Sequence, residues 1–130
     1  MTEVVELTEA DKWWVERLWK PHAATFGAFY FVWGDFLTHK PAGVKFYGVR
    51  EQGFMRVTAR KGLTTIKEIA TAEGSRGVGR ALVSSLPLPV LLETGEGNVN
   101  AQGFYQHLGF RKVGSRLTRK GKRLFIYAKQ

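Results

Sequence analysis

The stretch Glu73-Gly-Ser-Arg-Gly-Val-Gly-Arg-Ala-Leu-Val83, EGSRGVGRALV, puts three glycines and two arginines into its first eight residues and then turns into apolar helix spacing. A helix start offers unpaired amide donors and partial positive charge, so it attracts anions. Gly77 and Gly79 let a ligand approach the backbone, and Gly74 tolerates angles that other residues avoid. Arg76 and Arg80 add guanidinium groups, which suit phosphate, and Ser75 and Val78 complete the loop. A diphosphate matches that combination. No Gly-Lys-Ser/Thr ending follows, which disfavours a triphosphatase loop, and Leu82 stands where a dinucleotide fingerprint wants a small residue. Read alone, the loop also fits a strand-to-helix turn that binds nothing.

Outward from this loop the chain has a regular order. Upstream, Val4 to Leu7 reads as a short strand, and Thr8 with Asp11 as the capping pair of a helix whose inner face carries Trp14, Val15 and Leu18. Pro21 ends that helix, and the aromatic run AATFGAFYFVWGDFL predicts a second, irregular one. Val44 to Arg50, Phe54 to Arg60 and Thr64 to Thr71 read as strands joined at Glu51-Gln-Gly53 and Lys61-Gly62. From Gly77, apolar spacing through Val78, Ala81, Leu82 and Leu86 predicts a helix, which Pro87 and Pro89 stop.

Val90 to Thr94 is a short buried strand. A further helix runs from Asn98, with Ala101, Phe104, Tyr105 and Leu108 on one face and Gly109 at its end. Lys112 to Arg119 and Leu124 to Lys129 form two basic strands around Lys120-Gly-Lys122. The whole reads as a single α/β domain over residues 1–130, a mixed sheet flanked by helices in the order β-α-α-β-β-β-α-β-α-β-β.

Composition narrows the function. At 130 residues and 44% hydrophobic the chain supports one core, and the absence of cysteine excludes disulfides, a thiol nucleophile and thiolate metal sites. Three histidines without clustered acids give no metal site. No basic start followed by an apolar run marks a signal peptide, and no apolar stretch approaches the ~18 residues of a membrane span, so a cytoplasmic protein without membrane contact is expected. Of the net charge of +9, most sits between Arg111 and Gln130, which holds eight cations and no acid. Such an end points to an anionic partner or to a solvated hairpin.

The segments SRGVGRALV and NVNAQGFYQHLGFRKVG, in that order and about twenty residues apart, resemble the GNAT superfamily of acetyl-CoA-dependent N-acetyltransferases. The second carries Asn98, Ala101, Tyr105, Gly109 and Phe110 in the family's register. The resemblance covers Ile66 to Gly114. It departs at Gly74, where the family has arginine or glutamine, so one side-chain contribution to the loop is missing.

By this resemblance, acetyl-CoA is the donor substrate. Gly74 to Arg80 hold its pyrophosphate, Ile69, Ala70 and Thr71 pair with its pantetheine arm, and Asn98, Ala101 and Tyr105 contribute from the second segment. Tyr105 matches the general acid: a phenol with pKa ≈ 10 is protonated at neutral pH and can protonate a leaving thiolate. Its spacing also suits a core tyrosine. Glu68 is the first candidate base and Glu93 the second; His107 is expected at the surface. Tyr30 and Trp33 are candidates for one wall of the acceptor pocket.

The expected activity is acetyl transfer to a primary amine by direct attack on the thioester, in a monomer or homodimer. The alternatives are an acyltransferase acting on a nucleic-acid or ribosome-associated acceptor, and a non-catalytic GNAT-like module that binds nucleic acid through its basic hairpin.

Overall fold

Three strands joined by tight turns make the centre of the sheet: β2 (Val44–Val49), β3 (Gly53–Arg60) and β4 (Leu63–Thr71), each antiparallel to the next. The computed structural model describes residues 3–22 and 43–130. The second helix expected over residues 23–37, with Tyr30 and Trp33, lies outside them.

Alternation along these strands sorts their side chains onto two faces. Val44, Phe46, Phe54 and Ala70 pack with Leu7 and with Trp14, Val15 and Trp19 of α1 (Lys12–Trp19). Val49, Met55, Val57 and Ile66 face the other way, against Val78, Leu82 and Val83 of α2 (Val78–Ser84). Leu108 and Phe110, which follow α3 (Val99–His107), join that second cluster. The amide of Thr8 donates to Asp11 Oδ2 at 2.9 Å, so the expected pairing of these two residues forms, at the start of a 3₁₀ turn that leads into α1. The indole of the buried Trp14 donates to Asp11 Oδ1 at 2.9 Å, which gives the buried carboxylate a second partner.

The complete sheet has seven strands in the order β1-β2-β3-β4-β5-β7-β6, where β1 is Val5–Glu6, β5 Val90–Gly95, β6 Arg111–Leu117 and β7 Arg123–Lys129. This is the mixed α/β class expected, with strand ends differing by one or two residues from the sequence reading. Two features are not legible in the sequence. The last strand inserts between β5 and β6, antiparallel to both, and leaves β6 at the edge. And β4 carries a bulge: Arg56 lies opposite Glu68 while Val57 lies opposite Ile66, so Lys67 is an extra residue.

The bulge positions the site. A bulge bends its strand and raises the local twist. The parallel pairing of β4 with β5 runs from Thr64↔Val90 to Ile66↔Leu92 and stops there, one residue before Lys67. Beyond it, β4 stays with β3 as far as Thr71 and β5 stays with β7 as far as Gly95. The sheet therefore opens into a V at its centre. None of the described helices is long and apolar enough to cross a membrane.

Candidate active site

The V between β4 and β5 is a cleft of ≈ 670 Å³. Residues Lys67 to Thr71 line one side, Glu93 to Gly95 the other, and Asn98, Asn100, Ala101, Phe104 and Tyr105 from the start and body of α3 close the end. Of the site residues singled out in the sequence, the cleft brings together Glu68, Ile69, Ala70, Thr71, Glu93, Asn98, Ala101 and Tyr105. The side chain of Ala70 is buried against the α1 cluster, so Ala70 can offer the cleft only its backbone. Strand edges present N–H and C=O groups at alternate residues. Where β5 departs, β4 leaves such groups open along Glu68 to Thr71.

Helix α3 is anchored at its start. Asn98 is its N-cap, with Oδ1 accepting from the amide of Ala101 at 3.2 Å. Gln102, which sequence reasoning missed, donates to the carbonyls of Gly95 at 3.0 Å and Glu96 at 2.9 Å, and so ties the helix to the end of β5.

Tyr105 projects from this helix with its ring edge-on to Phe104 and Phe110, at centroid distances of 5.5 and 5.9 Å. Burial, and then the charge of Glu68, pushes its phenol up to about 12. Because the folded chain holds this proton more tightly than free tyrosine, with its value of 10.0, folding stability falls as pH rises between those two values. The tyrosinate absorbance difference between the wild type and Tyr105→Phe is expected to titrate near pH 12. A midpoint at or below 10 contradicts the burial of the hydroxyl.

The two candidate bases are both clamped. Arg56 donates from Nε to Glu68 Oε1 at 2.5 Å and from Nη2 to Oε2 at 2.6 Å, a bidentate pair with both side chains mostly buried. Arg116 on the edge strand holds Glu93 the same way, through Nε to Oε2 and through Nη2 to Oε1 at 3.0 Å. Its hydrogen bond lowers the Glu93 carboxyl below the ordinary carboxylate value, against the opposing effect of burial. A lowered carboxyl is a weaker proton acceptor, and Glu93, the second candidate base, stands here as the ion-pair partner of Arg116. His107 is exposed, as expected.

The glycine loop lies beyond the cleft, past the end of β4. Gly77 is the N-cap of α2 at φ +73°, where a side chain is strained, and nothing lies within 4 Å of where its Cβ would stand. The amides of Arg76 and Gly77 have no backbone partner among the described residues. The side chains of Arg76 and Arg80 are exposed. Val78 is buried in the core.

Gly79 has a different reason from the one its place in the loop implies. A Cβ there would lie 2.4 Å from Cζ of Phe104. Its smallness seats α2 against α3 and keeps the Phe104 ring in the cleft wall. Gly79→Ala is expected to destabilise the fold by about 1–3 kcal/mol through overpacking, and Phe104→Ala in the same chain to recover part of that loss. Denaturant midpoints of the two single variants and the double variant measure the coupling.

At the other end, the turn between β6 and β7 is closed by Thr118, whose amide donates to the Lys122 carbonyl at 2.8 Å and whose Oγ1 accepts from the Lys122 amide at 3.1 Å. Arg123 is held by Glu96 at 3.4 Å and by Ser115 Oγ at 3.0 Å.

No family model and no curated protein matches this sequence. Solved structures match its fold. A GNAT-family protein of Desulfovibrio desulfuricans superposes with a TM-score of 0.79 at 18% identity, over 100% of this chain and 99% of its own. A Bacillus subtilis acetyltransferase in complex with CoA gives 0.67 at 15%, over 100% and 99%. Nourseothricin acetyltransferase gives 0.57 at 20% over 68% of this chain, which spans 65% of that protein. The chain therefore has the fold of the GNAT acetyltransferases, the class with which its two sequence segments agree.

Proposed function

We propose that the chain is an N-acetyltransferase that moves an acetyl group from acetyl-CoA to a primary amine by direct attack on the thioester. The observation that carries this reading is the divergence of β4 and β5 around Tyr105, which opens backbone hydrogen-bonding groups beside a protonated phenol. The residues present suit the donor: open amides at Arg76 and Gly77 with exposed guanidinium groups for a pyrophosphate, and a strand edge for an amide-bearing arm. The CoA carried by the Bacillus subtilis acetyltransferase supports the same choice.

When bound, acetyl-CoA supplies the thioester. Gly74 to Arg80 hold the pyrophosphate through loop amides, with Arg76 and Arg80 adding charge. The open edge of Ile69, Ala70 and Thr71 pairs with the pantetheine amides, and one N–H of that edge stabilises the carbonyl oxygen as it gains charge. Tyr105 gives its proton to the leaving sulfur as the C–S bond breaks. Glu68, both oxygens already accepting from Arg56, keeps lone pairs for an amine N–H and orients the nucleophile. The proton released as the C–N bond forms passes to water.

Two measurements test this. Calorimetry should register acetyl-CoA binding to the folded protein, and free thiol should appear when a primary amine is added. Failure to bind acetyl-CoA overturns the proposal, as does binding without thiol release across a broad panel of amines.

A further inference from the structure

A second hollow, ≈ 510 Å³, adjoins the cleft at Gly95 and Leu124, which line both. It runs from there towards the hairpin turn, bordered by Glu96, Gly97, Leu117, Gly121, Lys122 and Arg123. Charge along this path is unevenly compensated. Glu68 is paired with Arg56, Glu93 with Arg116 and Glu96 with Arg123. Arg119, Lys120 and Lys122 at the turn are exposed and make no ion pair among the described residues. Lys67 at the cleft is also exposed and without an ion pair among the described residues, so the path carries one uncompensated cation at the cleft and three at its far end.

We infer that the hairpin end of this hollow receives carboxylates of the acceptor, and that the acceptor is a peptide whose amine lies a few residues ahead of an acidic cluster. The inference rests on the acyltransferase reading of the cleft and adds its substrate class. Leu124, at the rim of the cleft, is the second residue of β7, and Gly121 lies three positions earlier in the turn before that strand, a span of at most about 10 Å, or roughly three residues of an extended peptide. An amine in the cleft thus places the fourth and later residues of its chain at the turn, where Lys122 borders the hollow and Arg119 and Lys120 stand close to it in the chain. A nucleic acid suits the path less well. Its phosphates repeat at every nucleotide, whereas three of the unpaired cations are gathered at the turn, and none of the described residues that line the hollow is aromatic for base stacking.

The test is direct binding, independent of turnover. The probe is a hexapeptide with a free amino terminus, three neutral residues and three aspartates, labelled at its carboxyl end and followed by fluorescence anisotropy. Wild type should bind it about 10-fold or more tightly than the same peptide with asparagines, with the difference shrinking as salt is raised. The combined variant Arg119→Gln, Lys120→Gln, Lys122→Gln should lose that preference while binding acetyl-CoA as the wild type does.

Equal affinity for the aspartate and asparagine peptides overturns the inference. So does a preference retained by the triple variant, or tighter binding of a single-stranded RNA oligonucleotide than of the acidic peptide. A protein that binds the acidic peptide through the turn but does not bind acetyl-CoA overturns the acyltransferase reading while leaving the acidic subsite standing.

Discussion

Tyr105→Phe is expected to lower turnover by ~10²-fold or more and to leave acetyl-CoA affinity nearly unchanged. The substitution removes one oxygen. The ring contacts with Phe104 and Phe110 persist, so α3 and the cleft wall keep their shape. What is lost is a proton donor that stays protonated through the neutral and mildly alkaline range, because burial and Glu68 push its phenol up to about 12. The same shift makes it a weaker acid than free tyrosine, so its contribution depends on donating to sulfur as charge develops, not on advance ionisation. Steady-state rates with calorimetric affinities decide the matter: an unchanged rate, with chemistry limiting, assigns Tyr105 to packing alone.

Deletion of Lys67 is expected to abolish acetyl-CoA binding while the protein still folds. Removing the extra residue keeps every pair between β3 and β4, including Arg56 opposite Glu68, but takes away the bend at which β4 leaves β5. The two strands can then continue their parallel pairing past Ile66 and Leu92, which closes the V. Losing two or three backbone hydrogen bonds to the donor, at about 1 kcal/mol each, together with the space for it, corresponds to a drop of ~100-fold or more. Lys67→Ala keeps the extra residue and should retain binding. If the deletion variant binds acetyl-CoA as well as the wild type, the bulge does not build the cleft.

The hairpin that joins β3 to β4 shows where sequence reading stops. Counting back from the turn at Lys61-Gly62, a regular register sets Arg56 against Lys67, two cations facing each other. The bulge brings Glu68 there instead, and a bidentate ion pair replaces the repulsion. Glu68 could be named as a strand carboxylate in the cleft, but its partner could not, since the pairing depends on one inserted residue that leaves no mark in periodicity. Gly79 is similar. Its place in a glycine-rich loop implies a ligand, whereas the atom it makes room for is Cζ of Phe104 on another helix.

By itself the sequence determined what is local. The glycine–arginine loop, the helix that starts at Asn98, its face through Ala101 and Tyr105, and the three-stranded meander all rest on turn chemistry and side-chain period, which act over a few residues. Only the tertiary structure decided the rest: β7 seated between β5 and β6, the bulge at Lys67, the clamping of Glu68 and Glu93 by Arg56 and Arg116, and three hairpin cations without an ion-pair partner among the described residues. These depend on which strand lies beside which and in what register. Long-range packing of the two core faces sets that arrangement, because a strand's own pattern says which side chains turn inward and not which neighbour they meet.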